Sequence, residues 1–270
     1  RAAMDAIVRE LYERKDSRHF WDPPAFESEF LSKQSGGYTA LVCLAMMYAG
    51  ESYQDPRLRD AIAHLEKFRM GGTYAVSIRA NLWAMLPPRF GELLLKDRDW
   101  LIQGFSERAA GWNYEQEPYT TRRDNSITQY GALALWEAAK RDLRVDNRYW
   151  RMLEDRFLAM QLADGGWNYS GEGPATGSMT TAGLTVLFIT QDYLHAQEQV
   201  DLRRGGPTSA ERAIALGMQW MDRNFSATTN PGRDTDFYYY MYGVERVGLA
   251  SGYKFFGGHD WYREGAAELI

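Results

Sequence analysis

Five apolar segments of helical length recur along the chain, and they constrain its fold more than any other feature. Each segment opens with small or polar residues and continues with apolar side chains on almost every side of the helix. The segments span residues 35–50, 71–86, 124–139, 177–192 and 237–252. A helix that is apolar on most sides is buried on most sides. We therefore expect five inner helices in the interior of an all-α fold.

Helices of a second kind alternate with these inner segments. They are amphipathic and span residues 4–14, 56–69, 90–105, 147–162 and 209–225. Such alternation indicates two-helix repeats that bury their faces against their neighbours. The sequence therefore predicts an α/α toroid, an α6/α6-type barrel with inner and outer rings. We expect a single toroid domain over residues 1–270, with its sixth repeat incomplete after a last outer helix, within a longer polypeptide.

Three glycines take nearly the same position in aligned inner segments, namely Gly131, Gly183 and Gly243. A glycine inside a helix costs about 1 kcal/mol relative to alanine, so its recurrence calls for a compensating contact. The pattern predicts that neighbouring helices approach each other closely at these positions.

The stretch Gln-Leu-Ala-Asp-Gly-Gly-Trp follows the fourth amphipathic helix. Gln161 can hydrogen-bond backbone groups at the helix end. Asp164 and Gly166 belong to a tight turn, after which Trp167 can fold back over neighbouring helices. We interpret this stretch as a structural staple between repeats. Weaker copies of it stand at residues 109–114 and 14–21.

This stretch resembles the QW repeat of triterpene cyclases, in which a glutamine, a turn and a tryptophan clamp adjacent helices. The alternation of inner and outer helices is similar to the α/α toroid of terpenoid cyclases and of protein prenyltransferase β-subunits. Residues 242–266 resemble uncharacterised bacterial proteins that carry prenyltransferase and squalene-oxidase repeats. The resemblance implies the fold and an isoprenoid-like ligand, but no established activity.

The catalytic motifs that this resemblance implies are missing from the sequence. A cyclase that protonates an alkene has an Asp-rich motif before Thr-Ala, but Ser-Gly-Gly-Tyr precedes Thr39-Ala40 here. Asp124 is the nearest acidic substitute, and at a helix start it is also typical of an N-cap. Protein prenyltransferases hold zinc with Asp, Cys and His, and Tyr239 stands where that histidine would be. We therefore expect no metal site and no cofactor.

Polar residues on the inner helices are the candidate ligand contacts. In one interpretation they pair with neighbouring helices, because a buried charge without a partner costs several kcal/mol. In the other they line a central cavity, and both interpretations stay open. Adjacent residues on a helix do not face each other, so Glu245 and Arg246 should find separate partners. The candidate ligand-binding residues are Arg79, Asp124, Gln129, Asp236, Tyr239, Glu245, Arg246 and His259.

Composition excludes several classes of function. The net charge of −5 disfavours nucleic acid as a partner, which would need a clustered basic excess. The longest apolar run, residues 181–190, is too short for a membrane span of about 20 residues. Cys43 is the only cysteine, so it cannot form an internal disulfide, and we expect it to be buried and unreactive.

Three functions stay open from the sequence. The first is a toroid domain that binds an apolar or extended, isoprenoid-like small molecule in a central cavity, without a known cyclase or prenyltransferase motif. The second is an enzyme with relocated acids, either a cyclase or a carbohydrate-active enzyme. The third is a non-catalytic protein-interaction scaffold. The sequence does not decide whether the chain is an enzyme and does not assign a cellular compartment.

Overall fold

The computed structural model describes residues 2–18, 20–24, 32–122, 124–169, 171, 173–195 and 206–270, and most of them are helical. The helices are α1 (Ala2–Glu13), α2 (Gly37–Tyr48), α3 (Pro56–Lys67), α4 (Thr73–Met85), α5 (Gly91–Gly104), α6 (Asn125–Lys140), α7 (Asn147–Met160), α8 (Gly177–Leu194), α9 (Ser209–Asn224), α10 (Phe237–Ser251) and α11 (Trp261–Leu269). A short 3₁₀ turn, Pro88–Phe90, precedes α5. Each predicted inner and outer segment corresponds to one of these helices.

A short antiparallel hairpin separates α10 from α11. Its strands are β1 (Phe255–Phe256) and β2 (His259–Asp260), with Phe256 paired to His259. This hairpin has no counterpart among the elements predicted from the sequence. None of the helices in the described ranges combines the length and the apolar character needed to cross a membrane.

Four outer helices, α3, α7, α9 and α11, begin at side-chain caps, whereas α5 has none. Asp55 accepts a hydrogen bond from the backbone of α3, and Asp146 does the same for α7. Thr208 and Glu211 form a reciprocal capping box at α9, and Asp260 caps α11. Such caps satisfy backbone N–H groups that have no partner within the helix.

The chain divides into two compact units. Unit 1 contains residues 1–108, 112–120 and 130–145, and unit 2 contains residues 109–111, 121–129 and 146–270. In unit 1, α2 packs on α3 and α4, and α4 packs on α5. In unit 2, α8 packs on α7, α9 and α10. Each of the inner helices α2, α4 and α8 therefore contacts at least one outer helix and one other inner helix within its own unit.

The inner helices differ in how much of their surface is buried. Almost every residue of α4 and α8 is buried or half-buried. By contrast, α2 exposes Tyr38 and Tyr48, and α10 exposes Tyr238 and Leu249. The expectation that every inner helix is buried on most sides is therefore wrong for one face of α2 and one face of α10. On those two faces the apolar side chains meet solvent.

Candidate functional site

A cluster of polar side chains lies where α6, α8 and α10 begin, within unit 2. We call Asp124, Tyr169, Ser178, Arg233 and Asp236 the polar cluster. Tyr169 hydrogen-bonds Ser178, and the guanidinium carbon of Arg233 lies 4.7 Å from the centre of the Tyr169 ring. Burial is the largest cause that raises the pKa of Tyr169, to about 12, and Asp236 is the next. The carboxylate of Asp124 also raises this pKa, whereas Arg233 lowers it.

Asn230 fixes the loop that carries half of this cluster. Its Oδ1 accepts from the backbone N of Ser178 at 2.9 Å, and its Nδ2 donates to Ser178 Oγ at 3.2 Å and to Thr235 O at 2.8 Å. Asn230 is itself buried. The first turn of α8 thereby holds the loop that presents Arg233 and Asp236.

The two carboxylates of the cluster have different surroundings. Asp124 caps α6, because its Oδ1 accepts from Ile127 N at 3.0 Å and from Ser126 Oγ at 2.6 Å. Asp236 precedes α10 with a φ of 64°, a left-handed conformation that is uncommon outside glycine, and its side chain makes no cap bond. Its Oδ2 instead accepts from Arg233 Nε at 2.6 Å.

One turn further along the helices, Gln129 of α6 meets Tyr239 of α10. The Tyr239 hydroxyl donates to Gln129 Oε1 at 2.5 Å. The Gln129 side chain is completely buried, and within the described part of the chain its Nε2 has no hydrogen-bond partner. An unsatisfied buried donor costs about 1–3 kcal/mol. The amide nitrogen therefore marks a position where a hydrogen-bond acceptor would be stabilising.

Arg79, also a candidate ligand contact, lies in unit 1 and is held by its neighbours. Its guanidinium donates to Asp97 of α5 at 2.6 and 2.9 Å, and to Phe68 O at 2.7 Å. Burial is the largest cause acting on the pKa of Asp97 and raises it, while Arg79 opposes that rise. Arg79 thus links α4 to α5 and to the end of α3.

Glu245 and Arg246 form an ion pair with each other, at 2.9 Å, so the expectation of separate partners is wrong. The Arg246 guanidinium lies 5.3 Å from the ring centre of Tyr242, one turn back along α10. Glu245 is exposed, and two long side chains can bend toward each other even though their Cβ atoms diverge. His259 is exposed on the hairpin, and its Nδ1 lies 2.9 Å from Glu264 Oε2.

The Gln161–Trp167 stretch links α7 to α8 and α9. Gln161 Nε2 donates to Ala213 O of α9 at 2.8 Å and to Gly165 O at 2.9 Å. Asp164 Oδ1 accepts from Gly166 N at 3.0 Å, and Trp167 N donates to Thr180 Oγ1 of α8 at 3.1 Å. These contacts tie the end of one outer helix to the next outer helix and to an inner helix.

Three tryptophans make the same indole–carbonyl bond at the end of an outer helix. In each case the indole N–H donates to a carbonyl oxygen in the last turn of the preceding outer helix. The pairs are Trp21 with Leu11, Trp112 with Leu101 and Trp167 with Phe157, at 2.7, 2.7 and 2.8 Å. All three lie in the stretches singled out as copies of one motif.

The glycine pattern reflects these indoles more than helix–helix contact. A Cβ atom at Gly131 would lie 2.5 Å from the Trp112 ring, and one at Gly183 would lie 2.5 Å from the Trp167 ring. The prediction of close helix–helix approach is wrong for these two positions, because an indole fills the space. At Gly243 the nearest atom belongs to Thr181 of α8, a neighbouring helix.

Sequence reasoning missed three members of the polar cluster, Tyr169, Ser178 and Arg233. A signal for Tyr169 was present, since Gly-Trp-Asn-Tyr occurs at both 111–114 and 166–169. Arg233 carried no such signal, because the turn at Asp236 that brings it to the cluster has no periodic pattern. In the ranges that the structure describes, no three His, Cys, Asp or Glu residues form a group suited to a metal ion.

No protein-family model matches the chain, and the search of curated proteins finds no match. Among solved structures, the chain is similar to the ent-copalyl diphosphate synthase from Streptomyces platensis, with a TM-score of 0.61 and 18% sequence identity. The match covers 92% of this chain and 46% of the synthase, so the chain spans less than half of that protein. At this identity the likeness shows the fold alone. The predicted fold class, an all-α toroid, is confirmed.

Proposed function

We propose that unit 2 binds an extended, isoprenoid-like ligand at the starts of α6, α8 and α10. The observation that carries this proposal is the buried Gln129 amide, whose Nε2 has no partner among the described residues. Four consecutive aromatic residues, 237–240, open α10 beside it. Aromatic faces suit an unsaturated hydrocarbon chain, and an unsatisfied donor suits its polar end. The terpene-cyclase-like fold agrees with this class of ligand.

The contacts of the two carboxylates support binding rather than acid catalysis. Protonation of an alkene needs a neutral acid that can give up a proton. Asp236 accepts from the Arg233 guanidinium, and Asp124 accepts from its own helix start. Each carboxyl group is thus engaged by a neighbouring donor, which favours a structural or binding role over proton transfer. We therefore assign the cluster a ligand-binding role without a known cyclase or prenyltransferase motif.

Carbohydrate binding is a second candidate function. It is favoured by one observation, the presence of Asp124 and Asp236 around Tyr169. Carboxylates and aromatic rings are the groups from which carbohydrate-active sites are built. This candidate predicts a response to oligosaccharides and none to isoprenoids.

Thermal unfolding in the presence of a small ligand panel tests the proposal. The panel contains geranylgeraniol, geranylgeranyl diphosphate, squalene and neutral oligosaccharides, all in one detergent buffer. A ligand at 100 times its Kd stabilises by about 2.7 kcal/mol, which raises Tm by roughly 5–10 °C for a chain of this size. A shift with isoprenoids alone supports the proposal, and a shift with oligosaccharides alone supports the second candidate. No shift with any compound would favour the interaction scaffold.

A further inference from the structure

An open groove lies between α1 and the second half of α2, within unit 1. Its volume is about 280 Å³, and it is lined by eight residues, four from each helix. The side of α1 consists of Met4, Ile7, Val8 and Leu11, and the side of α2 includes Ala45 and Ala49. Ile7 is 49% exposed, and Tyr48, which also lines the groove, is 64% exposed. The groove is therefore accessible from solvent.

Polar contacts hold the last turn of α1, while its apolar stripe stays open. The four residues that line the groove recur at i, i+3, i+4 and i+7, which places them on one face of the helix. No residue of α1 is buried. The Trp21 indole donates to Leu11 O at 2.7 Å, and the Tyr12 hydroxyl donates to Glu51 Oε2 at 2.9 Å. These bonds fix the position of α1 without filling the space beside its apolar face.

The lining of the groove suits a hydrocarbon. None of the eight residues is charged, and the Tyr48 hydroxyl is the one hydrogen-bonding group among their side chains. Ala45 and Ala49 lie one helical turn apart, so two methyl groups stand where longer side chains would fill the space. Met4 and Met46 are unbranched and flexible, which lets them adjust to the shape of an apolar molecule. Removal of apolar surface from water is thus the driving force that this lining offers.

The size of the groove favours a small molecule over a protein partner. A stable protein interface takes about 20–30 residues from each partner, many more than the eight that line this groove. Its volume of about 280 Å³ is close to the lower end of small-molecule pockets, about 300 Å³. At the roughly 30 Å³ that one water molecule occupies in the liquid, the groove holds about nine non-hydrogen atoms. Tyr48 offers the only aromatic ring in the lining, so a saturated chain suits the groove better than a polyene.

We infer that this groove binds the end of a saturated fatty acyl chain, over about nine carbon atoms, with the polar end of the molecule left in solvent. Binding buries methylene groups between the apolar stripe of α1 and the two alanines of α2. The groove lies in unit 1, so the inference does not depend on the ligand proposed for unit 2.

A series of straight-chain alcohols, from 1-hexanol to 1-dodecanol, tests the inference on the full chain in detergent-free buffer. Methyl ¹³C NMR follows Met4 and Met46, which line the groove, and Met85 of α4, which does not. The Met4 and Met46 signals are expected to shift saturably, while the Met85 signal stays unchanged. Kd is expected to fall about fourfold per added methylene, equivalent to about 0.8 kcal/mol, and to level off near about nine carbons.

Ala45→Leu places an isopropyl group inside the groove at an exposed position, so it requires no repacking of the core. The variant is expected to level off at chains about three carbons shorter and to bind 1-nonanol at least about tenfold more weakly. Ala159→Leu, at an exposed alanine of α7, is the matched control and should bind 1-nonanol like the unaltered chain. Unshifted Met4 and Met46 signals, or a Kd that Ala45→Leu does not change, would overturn the inference.

Two further measurements test the occupant. Geraniol has as many carbons as 1-decanol but is a branched polyene, and it is expected to bind several-fold more weakly. Geraniol binding as tight as that of 1-decanol would overturn the choice of a saturated acyl chain. The Met4 and Met46 signals of the free protein should not depend on its concentration. Signals that do shift as protein concentration rises would show a second copy in the groove and would also overturn the inference.

Discussion

The indole of Trp167 lies so close to Gly183 that a Cβ atom at Gly183 would stand 2.5 Å from the ring. Trp167 is completely buried and its indole N–H donates to Phe157 O at 2.8 Å. Because this bond holds the ring in place, the indole cannot move away without breaking it. The glycine in the middle of α8 is thus required by the shape of its neighbour and not by its own backbone conformation.

Gly183→Ala is therefore expected to lower the free energy of unfolding by about 1–3 kcal/mol, the usual range for overpacking a core. This loss would occur although alanine is intrinsically the better helix former by about 1 kcal/mol. Urea denaturation followed by circular dichroism measures it. Gly91→Ala is the control, because a Cβ atom at Gly91 of α5 would meet no atom within 4 Å. Equal stabilisation by both substitutions would contradict the steric account.

Removing one partner of the buried Arg79–Asp97 pair should be strongly destabilising. Arg79→Met leaves the Asp97 carboxylate buried without its guanidinium, which typically costs about 3–5 kcal/mol. The double variant Arg79→Met with Asp97→Leu should recover most of this loss, because no charge is left buried. Chemical denaturation of the two single variants and the double variant forms a thermodynamic cycle. Lys140→Met, at the more exposed ion pair with Glu137, should cost less than about 1 kcal/mol.

Cys43 should contribute to a loss of stability at alkaline pH. Burial raises the pKa of its thiol from the ordinary value of 9.0 to about 12. Between these two values the unfolded chain releases the thiol proton while the folded chain retains it. The stabilising contribution is therefore complete below about pH 9 and is lost as the pH rises toward about 12. Cys43→Ala should show a flatter decline of unfolding free energy above about pH 9, and parallel curves for the two proteins would exclude this contribution.

The Gln129–Tyr239 pair should limit the stability of the free protein. Tyr239→Phe removes the hydrogen bond to Gln129 Oε1. It is expected to lower the free energy of unfolding by about 1–2 kcal/mol. The double variant Gln129→Met with Tyr239→Phe removes both buried polar groups. It should be at least as stable as the unaltered chain in thermal unfolding without ligand. If the double variant is destabilised as much as Tyr239→Phe alone, the pair is a purely structural contact.

The helices were predictable because each has a periodic signature. The amphipathic stripe of α7 and the apolar run of α8 are both long enough to be recognised. The hairpin Phe255–Asp260 was not predictable, since strands of two residues show no periodicity. The open faces of α2 and α10 also escaped prediction, because the pattern of one helix does not reveal how many neighbours it has.

The site was predictable only in part. Asp124, Gln129, Asp236 and Tyr239 stood among the candidates, and the structure places all four at or near the starts of α6 and α10. Arg79, Glu245, Arg246 and His259 have other neighbours. Sequence shows that a polar residue interrupts an apolar helix, but the rotation of that helix decides what the residue faces. That rotation is set by tertiary packing, for example by the indole of Trp167 against α8.

The three indole–carbonyl bonds also bear on how the chain reaches its native state. Each bond joins residues that are only 10 or 11 positions apart. Closing so short a segment loses little chain entropy, and contacts of low sequence separation speed folding. The segments that end at Trp21, Trp112 and Trp167 can thus form independently and early. Folding of this chain should therefore start at several places at once, with the long-range helix contacts following in a later phase.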